Sequence, residues 1–574
     1  MLKEYADLVI RNVKVYNSYF KKFDMKNVYI VDGKFLYIGK DYDNVLKPKK
    51  IIEGKERYLV PGLIDIHMHI ESSMVSPKGF SDFIAGCGVT TIVSEPHEMA
   101  NVAGIDGIYE MINAGKDSKI DIFYGIPSSV PASSEELETT GGKIDYEDMK
   151  KLKKNPFVAC VGEVMNYRQV IKPNNLEITK FIEDLRKTDK IFPIEGHCPA
   201  LVDLDLAKFL YLGINADHTE HSLEELHQRF ENGMFVEIQE KMLHKEVMDY
   251  IIDNNLYEYF AFVTDDVMTD TLYEYGQLDH LVRKAIKLGF TPEQAIYNAT
   301  YTPARRMNLF DRGVIAPGKL ADFVLLDNLE EFTVSSTYKN GRLIYDKNIT
   351  DSEDNKKYFS KPYYNSIKIK KQEKDVLKIK VQENVEKVLV NVMELKDKST
   401  RTSRKQIEMP VENNILKWED SGCLLAAVFE RYGKNNNIGI GFLTGDCHKE
   451  GAVASSYAHD NHNILVAGSN VEDMILALNR LIEMQGGMVV TNKGEIQADL
   501  QLNVGGILSE EPIAKVANKL SGIRGKMIEQ GYNHYNPIMS FGTLTLTVSP
   551  ELKITDKGLI DVVNSKIMPL YEIL

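Results

Sequence analysis

The chain has 574 residues, more than a single hydrophobic core of about 250–300 residues accommodates, so one large domain and at least one more are expected. Its composition, 43% hydrophobic and 26% charged, is that of a globular protein. A formal net charge of −14, with no basic stripe interleaved with aromatics, speaks against nucleic acid as a partner. The five cysteines (Cys87, Cys160, Cys198, Cys423, Cys447) show no CxxC spacing, which argues against a disulfide framework or a thiolate zinc site. The first residues lack the apolar run of a signal peptide, and no stretch nears the ~18 apolar residues of a membrane span. A cytoplasmic protein without a membrane partner is expected.

In chain order, LVIRNVKVYN (8–17) and NVYIVDGKFLYIG (27–39) read as β-branched strands with a turn at Asp32-Gly33. From about 61 to 310, short apolar segments alternate with helical ones. The eight strand candidates are LVPGLIDIH, VTTIVSEP, IDIFYGIP, FVACVGEV, IFPIEGH, GINADH, GMFVEIQ and YFAFVTDD. Nearly continuous apolar runs suit parallel strands buried on both faces. Helix punctuation fits between them: Ser76-Pro77 as N-cap and first turn with Gly88 past the end, and a Ser222–Glu225 capping box closing on Gly233. Thr291-Pro292-Glu293 opens a further helix, PEQAIYNATYTPARRM. Eight strand–helix units predict an α/β fold built on a (β/α)8 TIM-type barrel. β character returns in ADFVLLDN and in KNGRLIYDKN, with a turn at Asn340-Gly341. The expected domains are a small composite β domain (1–60 plus 311–350), a metal-binding barrel (61–310) and a C-terminal α+β domain (365–574). The charged passage containing DSEDNKK reads as an exposed linker.

His67 and His69 end the first strand candidate, Glu163 the fourth, His197 the fifth, His218 the sixth, and Asp265 and Asp266 the eighth. Catalytic groups of such barrels sit at the C-terminal strand ends, where the loops open. Residues two apart on a strand share a face, so His67 and His69 converge on one ion. A lone histidine at a strand end is more often structural; the coincidence of several on one rim carries the reading. Imidazoles and carboxylates suit zinc, iron or manganese. His67, His69, Glu163, His197, His218 and Asp265 exceed what one four-coordinate ion with an open position requires, so two ions sharing a bridge are expected. Glu163, the anion nearest the middle of the set, is the expected bridge. Glu95 and His97 follow a strand end and are candidates for substrate contact or an accessory metal. His221 reads as seating the Ser222 cap, and His227, His244 and His280 as ordinary helix residues. The polar AHDNHN (His459, Asp460, His462) is either a hydrogen-bonded turn or a loop closing over the substrate. Asp266 joins the expected substrate contacts.

At these residues the chain resembles a known family. PGLIDIHMHIESSM is similar to the first strand of the amidohydrolase superfamily. IESSM, EPHEMANVAG, PSSVPAS, GEVMNY, EGHCPAL and VTDD, taken in order, resemble the bacterial adenine deaminases. So do GAVASSYAHDNHNILVAGSNVEDM, LNRLIEMQGGMVV and SPELKITDKGLIDV in the tail. The likeness runs through nearly the whole chain and is weakest around 350–435. It implies hydrolysis of adenine to hypoxanthine and ammonia in purine salvage. It also implies a binuclear centre, manganese first and iron or zinc as alternatives, on His67, His69, Glu163, His197, His218 and Asp265. Glu163 stands where many cyclic amidohydrolases carry a carboxylated lysine. The zinc-deaminase pattern H-x-E…P-C-x-x-C is absent from the sequence.

Three places depart from the family pattern. Val267 and Met268 follow Asp266 in place of Arg and His, Ile238-Gln239-Glu240-Lys241 replaces Ile-Arg-Glu-Gly, and Thr219 separates His218 from Glu220. These bear on substrate identity more than on reaction type. In the expected chemistry Asp265 carries a proton from the attacking water to the leaving amine, as a carboxylate beside a metal can. Glu240 or Glu220 is expected to protonate the ring at N1. The alternatives are an amidohydrolase acting on another aminopurine or a cyclic amide, and a non-catalytic assembly protein that kept the fold. A homo-oligomer, in particular a dimer, is expected.

Overall fold

A computed structural model describes residues 4–173, 176–349 and 356–574. Among them, eight short strands form the barrel: β1 (Leu63–Met68), β2 (Val89–Ser94), β3 (Asp121–Ile126), β4 (Val158–Val164), β5 (Ile194–Gly196), β6 (Ala216–Asp217), β7 (Phe235–Ile238) and β8 (Phe260–Phe262). Pairing runs β1 to β5 in one arc and β6 to β8 in another, and every pair is parallel. The arcs join where Asn215 N–H donates to the Ile194 carbonyl at 3.4 Å. The ring closes where Asp265 N–H donates to the His67 carbonyl at 3.1 Å, with Met68 bridging Asp265 in parallel. Closure therefore brings two of the candidate ligands side by side through the backbone.

The helix signals act as their chemistry requires. Ser76 accepts the Gly79 N–H at the start of helix Pro77–Ile84, and the chain leaves that region at Gly88, φ +80°. Capping boxes at Ser222–Glu225 and Thr291–Gln294 open helices Leu223–Glu231 and Pro292–Asn298. The single helix expected from Pro292 onward is two, Pro292–Asn298 and Tyr301–Arg306. Pro303 lacks an N–H and its ring would strike a carbonyl in a continuous helix, but it is tolerated in the first turn of a new one.

A second sheet joins Leu8–Asn17, Lys22–Val31, Lys34–Gly39 and Tyr58–Pro61 to Phe323–Asn328, Thr333–Lys339 and Arg342–Asp346. The seam between its early and late parts is the antiparallel pair of Tyr58–Pro61 with Phe323–Asn328. Its turns at Asp32-Gly33 (φ +50° and +73°) and Asn340-Gly341 (+49° and +70°) use residue types that accept positive φ at both positions.

The C-terminal part is a mixed sheet carrying helix Val471–Met484. Helix Ile513–Glu529 lies against helix Thr269–Tyr275 of the barrel, where Arg524 Nε pairs with Asp270 Oδ2 at 2.6 Å. Residues 351–355 of the lysine-rich passage lie outside the described residues. The chain beyond it is docked: Ser360 N–H donates to Glu110 at 2.8 Å and the Tyr364 hydroxyl to Glu510 at 2.9 Å. All five cysteines are buried and unpaired with one another. Among the described residues no helix is long and apolar enough to cross a membrane.

Candidate metal centre

The barrel rim gathers His67, His69, Glu163, His197, His218 and Asp265 into one cluster. Asp265 Oδ1 lies 3.7 Å from His67 Nε2 and 3.5 Å from His69 Nε2. Glu163 divides its oxygens. Oε1 is 3.6 Å from His69 Nε2, while Oε2 is 2.9 Å from His197 Nδ1 and 3.3 Å from His218 Nε2. The His67 and His218 rings stack at 3.8 Å between centroids. Ligands about 2.0–2.2 Å from an ion sit roughly 3–4 Å from one another, so this donor set fits a divalent metal centre. His67 Nε2 is buried without a hydrogen-bond partner, as a ligand atom facing an ion would be. His69 Nδ1 bonds the Glu95 carbonyl at 3.0 Å, which fixes the tautomer that leaves Nε2 free for ligation.

The electrostatics of Asp265, Glu163 and His67 suit the same role. Burial opposes ionisation of Asp265, but the hydrogen bond with His69 and the charges of the surrounding histidines outweigh it and hold the carboxyl well below its usual range. Burial also opposes ionisation of Glu163, and His197 and His218 overcome it. Both carboxyls are thus anionic at neutral pH. Burial drives His67 well below the usual imidazole value, leaving it neutral as ligation requires. His218 is held up at about 9, because hydrogen bonding to Glu163 and the Asp265 charge offset its burial.

Beneath the rim, Asp65 on β1 accepts from Thr264 Oγ1 at 2.6 Å and Gln277 Nε2 at 2.5 Å, tying β1 to the segment after β8. Gln239, one of the departures from the family pattern, donates to the His218 carbonyl at 2.8 Å. His221 does not join the cluster; its Nε2 lies 3.0 Å from Asp217 Oδ2, behind β6.

The rim is roofed from the C-terminal part. His459 Nδ1 lies 2.5 Å from Glu98 Oε1, and His462 Nε2 bonds Glu98 Oε2. Glu98 belongs to helix His97–Ala114 of the barrel. Beside it, His97 Nδ1 bonds Glu95 and stands 3.6 Å from Glu163 Oε1. Tyr457 donates to Ser72 Oγ at 3.1 Å, and Ser72 in turn bonds Asp266. Arg431, fully buried, holds the loop from its far side by donating to the His462 carbonyl and, at 2.8 Å, to the Gly505 carbonyl. The AHDNHN segment is a hydrogen-bonded turn, with His462 N–H on the Ala458 carbonyl at 2.8 Å, and it is also seated on the rim.

Two expected acids are not brought to the cluster. Glu240 turns away to His280 Nε2 at 3.1 Å and Lys284 Nζ at 3.2 Å. The hydrogen bond to His280 holds its carboxyl down at about 2, so at neutral pH it has no proton to give. His280, read as an ordinary helix residue, is this partner. Glu220 is exposed to solvent. The reading of the sequence passed over Glu98 and Glu71. Glu71 is fully buried, and burial pushes its carboxyl up to about 7. Both lie in mixed polar runs just past strand ends, IESSM after β1 and EPHEMAN after β2, where no spacing singles either carboxyl out.

A (β/α)8 barrel with four histidines and two carboxylates on its C-terminal rim defines a metal-dependent hydrolase of the amidohydrolase class, and the amidohydrolase family profile matches residues 58–344. The adenine deaminase C-terminal domain matches residues 399–566. An adenine deaminase from Clostridium perfringens (strain 13 / Type A) is 49% identical over 99% of this chain and 99% of its own length. Adenine deaminase 2 from Shouchella clausii (strain KSM-K16) is 45% identical, again over 99% of each chain. The chain belongs to the adenine deaminase family. A solved β-aspartyl dipeptidase from Fervidobacterium islandicum AW-1 aligns over 61% of this chain and 100% of its own, with 19% identity and a TM-score of 0.47. Membership of the amidohydrolase superfamily implies divalent metal ions, for which the rim residues are the candidates.

Proposed function

We propose that this chain hydrolyses adenine to hypoxanthine and ammonia at a pair of divalent ions, manganese in preference to iron or zinc, held by His67, His69, Glu163, His197, His218 and Asp265. The observation that carries this reading is the divided carboxylate of Glu163, with Oε1 toward His69 and Oε2 toward His197 and His218. Relatives of the same length that bear the name adenine deaminase support the choice of substrate.

When bound, the ions supply Lewis acidity that makes water a nucleophile near neutral pH. Asp265 is ionised and buried beside His67 and His69, positioned to take the proton of the water that adds to C6 and to hand it to the departing amino group. The ring accepts a proton at N1 as C6 becomes tetrahedral. The second hydrogen of the water, released as the C6 hydroxyl becomes a carbonyl, replaces the proton given to N1; that exchange takes place on the buried rim, which Glu240, tied to His280 and Lys284, does not reach. Glu95, His97, Asp266, His459, Asp460 and His462 lie around the cluster and are the proposed substrate contacts. The reading includes a cytoplasmic homodimer without nucleic-acid or membrane partners. It divides the chain into 1–60 plus 311–350, 61–310 and 365–574.

A second reading, an amidohydrolase of another aminopurine or a cyclic amide, is favoured by Gln239, whose side chain is spent on the His218 carbonyl. Ammonia release across a panel of purines and cyclic amides separates the two. Adenine is expected to give the highest kcat/KM, and faster turnover of another member would shift the assignment to that compound.

A further inference from the structure

One part of the rim is built for more than substrate contact. Glu95, His97, Glu98, His459, Asp460 and His462 are each at most 6% exposed, so three carboxylates sit out of water at the seam between barrel and C-terminal part. His97 stands between two groups of ligands: Nδ1 faces Glu95 and Glu163, while Nε2 lies 3.7 Å from Glu98 Oε1. Donor atoms of His97, Glu98 and Asp460 all lie within 4.8 Å of one another. Around them three buried polar atoms have no hydrogen-bond partner: Glu95 Oε1, His459 Nε2 and Asp460 Oδ2. A buried carboxylate oxygen left unpaired is costly, so such atoms mark a place where a cation belongs.

We propose that His97, Glu98 and Asp460 hold a further divalent cation, separate from the pair at Glu163. One imidazole and two carboxylates suit manganese, iron or zinc, and two carboxylates neutralise a divalent charge. The ligands come from both halves of the molecule. His97 and Glu98 open helix His97–Ala114 of the barrel, and Asp460 lies on the C-terminal loop. The ion therefore staples the 457–463 loop onto the rim, and binding it is coupled to docking the loop. This site does not depend on the two-ion reading, since none of its three ligands belongs to that set.

The test is metal content of the full chain, saturated with manganese and passed through gel filtration, together with hydrogen exchange of residues 457–463 during stepwise metal addition. The expected result is three ions per chain, with exchange of the loop slowing as the last equivalent binds. Glu98→Gln and Asp460→Asn are each expected to bind one ion fewer and to lose that slowing. If Glu98→Gln does not fold by circular dichroism, Asp460→Asn alone decides. Saturation at two ions in an active wild-type chain, unchanged by the variants, overturns the proposal while leaving the paired centre standing; the imidazoles of His97 and His459 then carry the countercharge as protonated groups.

Discussion

His197 Nδ1 lies 2.9 Å from Glu163 Oε2, while the other oxygen of that carboxylate turns 3.6 Å toward His69. A single side chain thus addresses both halves of the rim, as a bridging ligand must. Glu163→Gln removes the charge and one acceptor at nearly constant shape. Its metal affinity is expected to fall by more than the about 10–100-fold that loss of an outer-shell partner costs. Equilibrium dialysis against manganese reads this directly, and unchanged affinity would remove Glu163 from the bridge.

Asp265 is buried and held ionised by His69 and its neighbours. If it carries the proton from water to amine, Asp265→Asn lowers kcat by about 10²–10⁴-fold, the usual contribution of a general acid–base group. Most of the metal is expected to remain, because the histidines and Glu163 are untouched. Steady-state deamination and metal analysis on one preparation check both halves, and a kcat within tenfold of wild type contradicts the role.

Glu240 gives the opposite expectation. Glu240→Gln is expected to leave kcat/KM unchanged, because the side chain engages His280 and Lys284 outside the cluster. The pair is half-exposed and screened by solvent, so its stability contribution is at most about 1 kcal/mol. The folded carboxyl is lowered from 4.5 to about 2, so this contribution is fully present above pH 4.5 and is lost as pH falls through about 2. Urea midpoints of wild type and Glu240→Gln should therefore differ at neutral pH and converge in acid.

Arg229 is fully buried and donates Nε to Asp217 Oδ2 at 2.9 Å and Nη2 to the Cys198 carbonyl at 2.8 Å. Asp217 ends β6 immediately before His218. Arg229→Met leaves a buried carboxylate with His221 as its remaining charged partner and is expected to cost about 3–5 kcal/mol in urea unfolding. A cost below about 1 kcal/mol would mean that His221, the other partner of Asp217, suffices alone.

The barrel and the candidate ligands gathered on its rim were legible because both signals are local. The apolar runs ending in His67, Glu163, His197 and His218 mark strand and rim in the same few residues. Side-chain direction beyond a strand end is not local. β7 stops at Ile238 and the chain enters a short turn of 3₁₀ helix, Glu240–Met242, which aims Glu240 at helix Leu278–Lys287 instead of the rim. The contact of His462 with Glu98 joins positions 364 residues apart, and no periodicity links them. Only the polar run AHDNHN, too hydrophilic for its apolar flanks, hinted that something charged would meet it.

The central claim is tested most directly by incubating the chain with adenine after chelation and again after manganese is restored. Ammonia and hypoxanthine are expected in equal amounts from the restored protein, with activity lost on stripping and recovered on addition of metal. A stripped chain as active as the untreated one, or a manganese-loaded chain that releases no ammonia from adenine, would contradict it.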